Sequence, residues 1–362
     1  MSADWARGIW DRKGIASRIL WLLLLPLSFL YGLGARVRNL LYSLDWLHPK
    51  GLPRPVVSIG NLTVGGTGKT PTTLWLADQL ERRGYRVAIL SRGYKRSEKQ
   101  CVILEPRGEN GHFFSEAEEL RAAGDEPVMM ARVFGHRVGV GAVRYEVGAQ
   151  MLRDGEVDVF ILDDGFQHRR LKRDLDLLLL GLDWEGWLIP AGPFREPRRS
   201  LNRADLCLVT GARERWEKLL RGRPAETIFS GALEPRALVG LEAGRWKEYP
   251  LTILGRNKVL AVAGIADPGP FYHVIDEWEG EIVDTMQFPD HYNYSARDWQ
   301  DINRAAREVD LIVTTEKDLV KLARFPFARE KLLALRVEMT VENGEALVQA
   351  VEKVIRGKQP EF

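Results

Sequence analysis

A glycine-rich run carries the most specific chemical signal in this 362-residue chain. An apolar, β-prone run at 55–59 precedes it and a helical pattern at 71–83 follows it, which is the context that a phosphate-binding loop requires. In such a loop, backbone N–H groups surround phosphate oxygens, the lysine reaches the outer phosphates and the following hydroxyl ligates Mg²⁺. We therefore predict a nucleoside triphosphate site formed by Gly65, Gly66, Thr67, Gly68, Lys69 and Thr70.

Two adjacent carboxylates supply the acidic partner that a phosphate-binding loop needs to hold its metal ion. Asp163 and Asp164 end the apolar run 159–162. At least one of them is expected at the carboxyl edge of a parallel sheet, where open α/β sheets bind ligands. The alternative is a simple turn at 163–165. Together with the glycine loop, a metal site is the better interpretation.

Further polar groups lie after predicted strands or in broken loops, where side chains face a cleft rather than a core. Phosphoryl transfer to a hydroxyl requires a carboxylate or imidazole base, a metal held by oxygen ligands, and cations over the transferred group. Each group alone is more often a satisfied turn, and the spacing does not assign their roles. The candidates are Asp125, His291, Arg92 and Arg195.

Alternating strand and helix patterns predict an α/β fold in which helices flank a P-loop NTPase-like parallel sheet. A second set of strand patterns, at 259–263, 281–288, 311–314 and 333–337, predicts a smaller α/β domain. The first set lies at 87–90, 138–140, 177–180 and 206–210. We expect an N-terminal membrane-associated helical segment at 1–50, a P-loop domain at 51–225, a linker or hinge at 226–255 and a C-terminal domain at 256–362.

The N-terminal segment is basic and apolar. Residues 1–54 carry eight Lys or Arg against three Asp, in a chain whose net charge is +2. The uncharged run 19–35 contains Pro26 and is slightly short for a span of about 20 residues. No small-residue cleavage site follows it, which argues against a signal peptide. A helix in the lipid headgroup layer and a helix buried on the body remain, and we expect bilayer contact through residues 15–40.

Composition excludes several classes of protein. With 45% hydrophobic and 28% charged residues, the chain is an ordinary globular protein of about two domains, not a disordered, collagen-like or polytopic membrane protein. Its two cysteines, Cys101 and Cys207, indicate a reducing compartment and build no metal site alone. The apolar run inside the basic arm favours lipid, so we expect no nucleic acid partner.

An ordered set of motifs resembles a known family. The sequence contains, in order, SIGNLTVGGTGKTP, SRGY, GDEP, LDDGFQH, REP, GIADPGPFY, FPDHYNY and TTEKD. Behind an apolar N-terminal helix, this set resembles the tetraacyldisaccharide 4'-kinases, the lipid A 4'-kinases, over roughly residues 15–320. The resemblance implies ATP-dependent phosphorylation of the 4'-hydroxyl of an acylated glucosamine disaccharide 1-phosphate. It also implies a place at the cytoplasmic face of a Gram-negative inner membrane.

The resemblance further implies a role for each motif residue. Lys69 and Thr70 would bind phosphate and Mg²⁺, and Asp125 would act as the base, paired with His291. Tyr292 stands where many relatives have a second histidine, which leaves one imidazole. ATP and Mg²⁺ are the implied cofactors, and we expect a monomer. The other implied positions are Asp163, Asp164 and Glu196 at the metal, Arg195 at the phosphates, and Tyr94, Arg92 and Asn61 at the acceptor.

The alternative function is a membrane-associated P-loop ATPase or GTPase switch of the partition or targeting type. That ATPase class has a lysine before the paired glycines, where this chain has Val64. A GTPase needs Asn-Lys-x-Asp, whereas residues 315–318 read Thr-Glu-Lys-Asp. Neither class accounts for Asp125 and His291.

Overall fold

The computed structural model describes residues 3–94, 96, 100–106, 117–182, 185–242, 245–265, 267–327 and 331–358. Within these residues, apolar runs of high β-propensity form thirteen strands that share one sheet. The strands are β1 (Val56–Asn61), β2 (Val87–Ser91), β3 (Val102–Leu104), β4 (Val138–Val140), β5 (Val159–Leu162), β6 (Leu175–Leu180), β7 (Leu206–Val209), β8 (Ile228–Glu242), β9 (Arg245–Tyr249), β10 (Lys258–Ala263), β11 (Glu281–Gln287), β12 (Leu311–Thr315) and β13 (Leu332–Val341).

Eleven α-helices connect or cover these strands in the described residues. The longest has 29 residues and precedes the sheet. The helices are α1 (Ala3–Trp10), α2 (Ile15–Ser43), α3 (Lys69–Glu81), α4 (Ala117–Ala123), α5 (Asp125–Arg132), α6 (Arg144–Asp154), α7 (Arg213–Leu220), α8 (Gly269–Glu277), α9 (Ala296–Ala305), α10 (Glu316–Leu322) and α11 (Gly344–Lys358). The expected α/β class, with a mostly parallel sheet and a long apolar N-terminal helix, is confirmed.

The sheet has the order β11-β10-β12-β13-β8-β7-β6-β1-β5-β2-β4-β3, with β9 paired to β8. Its pairings are parallel except where β3 meets β4 and where β8 meets β9 and β13. The described residues of the segment 226–255, predicted as a linker, form all of β8, all of β9 and a short 3₁₀ turn. The division of the chain into separate domains stays a prediction.

The position of β1 determines where the site can form. It pairs in parallel with β5 on one side and with β6 on the other. Strands that follow β1 along the chain therefore lie on both sides of it in the sheet. Such a switch point opens a crevice at the carboxyl ends of the strands. Segments that follow β1 and β5 consequently meet at one edge.

Alternation along β1 fixes both faces of the sheet. Val57 and Ile59 face a core that includes Leu76 and Leu80 of α3, whereas Val56 packs with the core that lies toward α6. Each of these buried aliphatic side chains contributes about 1.5–3 kcal/mol relative to exposure. The helix that follows the glycine loop is thereby held firmly against the strand that precedes it.

Helix α2 turns its small residues inward and its large apolar residues outward. Ser28, Gly32 and Ala35 are buried and recur at helical spacing on one face. A side chain at position 32 would place its Cβ 2.6 Å from Leu188, so glycine permits this close contact. In the most apolar 18-residue window of α2, whose mean hydropathy is 1.7, only 11% of the residues are buried. Its exposed side chains include Ile19, Leu22, Leu23, Leu27, Phe29, Leu30, Leu33, Val37 and Leu40.

Candidate active site

The glycine loop connects β1 to α3 and is shaped by two residues in backbone conformations that favour glycine. Gly65 has φ 117° and Gly68 has φ 82°. Within the loop, the buried Asn61 side chain donates a hydrogen bond of 2.9 Å to Thr67 Oγ1. This side-chain hydrogen bond stabilises the loop without using the backbone N–H groups that a phosphate would contact.

Lys69 begins α3 and lies over this loop. Its Nζ is 3.4 Å from the carbonyl oxygen of Gly65 and 3.9 Å from Asp164. Burial lowers its pKa, and the nearby carboxylate of Asp164 offsets only part of this effect. A buried ammonium with an incomplete counter-charge favours an incoming anion. Thr70 follows it in the first turn of α3.

The acidic pair follows β5, at the sheet edge that the sequence predicted. Arg195 Nη1 donates to both oxygens of Asp164, at 2.9 and 2.8 Å. Burial would raise the pKa of Asp164, but Lys69 and Arg195 outweigh it and lower that pKa. We call Lys69, Asp163, Asp164 and Arg195 the P-loop cluster.

Asp163 behaves in the opposite way to its neighbour. It is 5% exposed, and burial together with the charges of Glu126 and Asp164 raises its pKa to about 7. Thr73, one turn into α3, donates a hydrogen bond of 3.2 Å to it. Carboxylates this poorly compensated are suited to a hard divalent cation, and a hydroxyl from Thr70 completes a set of oxygen donors. The residues present fit Mg²⁺.

A second cluster forms around Asp125, the first residue of α5. Nδ1 of His291 lies 3.0 and 3.1 Å from its two oxygens, and Lys321 Nζ is 3.5 Å away. Lys317 Nζ lies 3.0 Å from Nε2 of His291, so His291 accepts from the lysine and donates its Nδ1 proton to Asp125. We call Asp125, His291, Lys317 and Lys321 the imidazole cluster.

The cationic groups of the imidazole cluster stabilise the ionised form of Asp125. Burial of Asp125 would raise its pKa, but the hydrogen bond from His291 and the charge of Lys317 lower it well below its usual range. His291 adopts φ 59°, a left-handed conformation that is uncommon outside glycine and frequent at functional sites. The imidazole is thereby aimed at α5 by a strained turn.

Glu126 connects the two clusters. Its carboxylate is 3.4 Å from Lys317 Nζ, and its charge raises the pKa of Asp163. Because Glu126 contacts one cluster and acts on the charge of the other, both clusters belong to one site. Asp125 and His291 are 166 residues apart in sequence, yet they are in direct contact.

Tyr94 and Arg92 border this site on the side of β2. The Tyr94 ring lies 5.1 Å from that of His291 and is 58% exposed. Arg92 is exposed, and its charge lowers the pKa of His168 and of the buried Arg144. Of the three predicted acceptor-side residues, Tyr94 thus lies beside the imidazole, Arg92 acts on Arg144, and Asn61 lies against Thr67 of the glycine loop.

Glu196 makes other contacts. Its buried oxygens receive hydrogen bonds from Arg38, Asn39 and Arg203. Arg38 and Asn39 belong to α2, so this carboxylate holds the N-terminal helix against the loop that carries Arg195. A role for Glu196 at the metal stays a prediction.

Sequence reasoning missed several residues of the site. Thr73 lies one helical turn after Thr70, a spacing that would have identified it once α3 was known. Glu126 and Lys317 stand inside the motifs GDEP and TTEKD, but no pattern showed that they meet. Arg144 had no signal at all, because only the fold buries it near the acidic pair.

A phosphate-binding loop at the switch point of a parallel sheet, an acidic pair on the adjacent strand and a base-like carboxylate nearby define a P-loop phosphotransferase. The chain belongs to the tetraacyldisaccharide 4'-kinase family. The model of that family, described as LpxK, tetraacyldisaccharide-1-P 4'-kinase, matches residues 20–356.

Individual relatives support this assignment. A tetraacyldisaccharide 4'-kinase of Aquifex aeolicus is 38% identical over 91% of this chain and 98% of its own length. One from Pelobacter propionicus is 37% identical over 95% of both chains. The crystal structure described as the "apo" form of LpxK from Aquifex aeolicus in complex with ATP matches with a TM-score of 0.77 and 36% identity. It covers 93% of this chain and 99% of that one.

Proposed function

We propose that this protein transfers the γ-phosphoryl group of ATP to the 4'-hydroxyl of a tetraacylated glucosamine disaccharide 1-phosphate, in lipid A biosynthesis. Membership of the family supports the reaction. The observation that carries the proposal is the contact between Asp125 and His291 beside the P-loop cluster. A simple nucleotide switch has no use for a paired carboxylate and imidazole at this point.

Asp125 accepts the proton of the acceptor hydroxyl in this proposal. Its low pKa keeps it ionised at neutral pH, and a weak base suffices because phosphoryl transfer has a loose transition state in which the attacking oxygen becomes acidic late. The Nδ1–H group of His291 donates a hydrogen bond to Asp125 and so orients the carboxylate, while the proton stays on the imidazole. Lys317, bonded to Nε2, keeps the imidazole in that tautomer.

Mg²⁺ supplies charge neutralisation at the phosphates when it is bound. We propose Thr70, Asp163 and Asp164 as the residues that hold it. Lys69 and Arg195 bind the phosphate oxygens, and Asp164 orients both cations through its contacts. The raised pKa of Asp163 falls when a cation binds, which couples metal binding to proton release.

The phosphate already present on the acceptor has a suitable place beside Arg92 and Arg144. Burial and the charge of Arg92 lower the pKa of Arg144 to about 10. Nε of Arg144 is buried and has no hydrogen-bond partner among the described residues. A buried guanidinium of this kind is stabilised by an anion, and arginine matches phosphate geometry. We propose that Arg92 and Arg144 bind the 1-phosphate.

The N-terminal helix lies in the membrane surface in this proposal rather than crossing the bilayer. It is bonded to the protein body along its length, by Trp21 to Ala191, Ser28 to Leu188 and Tyr31 to Arg195. Its opposite face exposes a series of large apolar side chains, and exposed apolar patches mark sites of membrane interaction. Such a helix embeds in the headgroup layer, and its arginines contact anionic lipid.

The place of the enzyme follows from its two substrates. ATP is supplied from the cytoplasm, and an acceptor with several acyl chains stays in the bilayer. We propose a monomer at the cytoplasmic face of the inner membrane, in contact with the bilayer through residues 15–40. The substrate then presents its sugar to the site while its chains remain in lipid.

Incubation of the purified protein with ATP radiolabelled at the γ-phosphate and the acylated disaccharide 1-phosphate, followed by thin-layer chromatography, tests the reaction. We expect a labelled lipid product with the wild type and none with Asp125→Asn. ATP hydrolysis without a labelled lipid would contradict the proposal.

Flotation with anionic vesicles tests the membrane surface. The double variant Leu23→Asp/Leu30→Asp places charges on the exposed face of α2, and we expect it to remain in the soluble fraction. Val283→Asp, which alters an exposed apolar side chain on β11, is the matched control and should float like the wild type. Equal flotation of the double variant and the control would contradict the membrane assignment.

A further inference from the structure

Helix α1 lies outside the part of the chain that matches the family model, which begins at residue 20. It is nevertheless fixed to the body. Ile9 is 4% exposed, and the indole N–H of Trp10 donates a hydrogen bond of 2.9 Å to the carbonyl oxygen of Pro190. The nearby loop also holds Trp187, which packs edge-on against Trp21 of α2. Helix α1 therefore has a defined position.

That position brings an arginine to the glycine loop. A Cβ atom built on Gly65 would lie 3.9 Å from Nη2 of Arg7. Lys69 Nζ also approaches this residue, at 3.4 Å from the Gly65 carbonyl oxygen. The next residue, Gly66, has open space around its Cβ position. Two cations thus lie near the exposed part of the loop, where a phosphate tail would lie.

The charges around the loop are compatible with a further cation at the phosphates. Lys69 and Arg195 both contact Asp164, so their charges are already partly balanced. A bound triphosphate brings about four negative charges, and arginine binds phosphate oxygens through a planar fork of N–H donors. Arginines supplied from outside a P-loop are known to stabilise the outer phosphates in this class of reaction.

We propose that Arg7 contacts the β- and γ-phosphates of bound ATP, as a nucleotide-binding residue supplied by the N-terminal segment. The proposal rests on the proposed function for the identity of the nucleotide. It links the segment next to the membrane directly to the phosphate site, because Arg7 on α1 and the docked helix α2 are separated by only a few residues.

Nucleotide affinity and steady-state kinetics of full-length protein in detergent test this proposal. For Arg7→Ala we expect about tenfold weaker ATP binding and a raised KM for ATP, as for the loss of one charge-assisted contact. AMP affinity and the KM for the lipid acceptor should not change. Arg7→Lys should recover part of the affinity. The matched control, Lys13→Ala, removes an exposed cation of the same segment and should match the wild type.

A second variant separates contact from folding. Trp10→Phe removes the hydrogen bond to Pro190 but keeps Arg7, and we expect a smaller loss of ATP affinity in the same direction. Unchanged ATP affinity in Arg7→Ala, with an active wild type, would overturn the inference and leave the kinase assignment intact. Equal losses for ATP and AMP, or a loss confined to vesicle binding, would also overturn it. An inactive wild type that still binds ATP would refute the proposed function instead.

Discussion

The P-loop cluster and the imidazole cluster differ in whether the protein itself stabilises the charged forms of their side chains. In the P-loop cluster, burial leaves Lys69 with a lowered pKa and Asp163 with a pKa of about 7. The charged form of each group is therefore less stable than it is in water. In the imidazole cluster, Asp125 has a lowered pKa and Lys317 a raised one. For Lys317, burial is outweighed by Glu126, Asp125 and Asp290.

This difference matches the roles that we propose for the two clusters. A cluster that binds and releases ATP and a metal ion gains by keeping its charges incompletely balanced, because the ligands then supply the missing charge. A cluster that holds a base for one proton gains by being balanced in advance, since an oriented and ionised group requires no rearrangement during the reaction. The following experiments test this contrast.

The largest effect is expected for Lys69→Ala. It removes the buried ammonium that neutralises the γ-phosphate, and turnover should fall by about 10³-fold or more. Phosphorylation of the lipid and ATP affinity are the measurements. A variant that keeps more than a tenth of the wild-type turnover would show that Arg195 and the loop backbone suffice.

Asp125→Asn should lower kcat by about 10²- to 10⁴-fold, the range for loss of a general base. The KM for ATP should stay near the wild-type value, because Asp125 contacts His291 and Lys321 rather than the P-loop cluster. Steady-state kinetics with both substrates varied measures this split. A large rise in the KM for ATP would place Asp125 at the nucleotide instead.

His291→Gln should have an intermediate effect and a characteristic pH dependence. The hydrogen bond from His291 lowers the pKa of Asp125, so its loss raises that pKa, while burial still disfavours the charged carboxylate. Below this pKa the base is protonated, and the acid limb of kcat against pH should therefore move to higher pH. An acid limb at the wild-type position would mean that His291 does not control Asp125.

The smallest effect is expected for Thr73→Val. The Thr73 hydroxyl lowers the pKa of Asp163, so its removal raises that pKa further and weakens the carboxylate as a metal ligand. We expect the Mg²⁺ concentration for half-maximal activity to rise by about threefold. In Thr72→Val, the lost hydroxyl donates to the Gly68 carbonyl oxygen, and the Mg²⁺ requirement should not change. Equal Mg²⁺ requirements for both variants would show that the Thr73 hydroxyl does not support Asp163 as a metal ligand.

The two clusters also differ in how far the sequence could predict them. The P-loop cluster follows from local patterns, because a glycine loop after β1 and an acidic pair after β5 reach the same edge whenever the two strands are neighbours. Their chemistry could therefore be predicted from the residue types and their order along the chain. The contact between Arg195 and Asp164 depends on the path of an irregular loop, and the sequence did not predict it: the resemblance implied only that Arg195 lies at the phosphates.

The imidazole cluster depends on distant parts of the chain. Asp125 starts α5, His291 lies in a turn after β11, and Lys317 and Lys321 belong to α10. No spacing rule connects these elements, and the ordered motifs named Asp125 and His291 without the lysines that hold them. The strand patterns likewise located most of the sheet, but not β8 and β9: β8 does not alternate regularly between buried and exposed residues, and it includes Pro235, a residue that argues against a strand.

The long strand β8 has a consequence for any attempt to divide the protein. Its beginning pairs in parallel with β7, and the following residues pair antiparallel with β13 and β9. A break anywhere in this strand would leave each fragment with an unpaired strand edge, which promotes aggregation. Fragments expressed alone should therefore aggregate, and they should be soluble only when both are co-expressed.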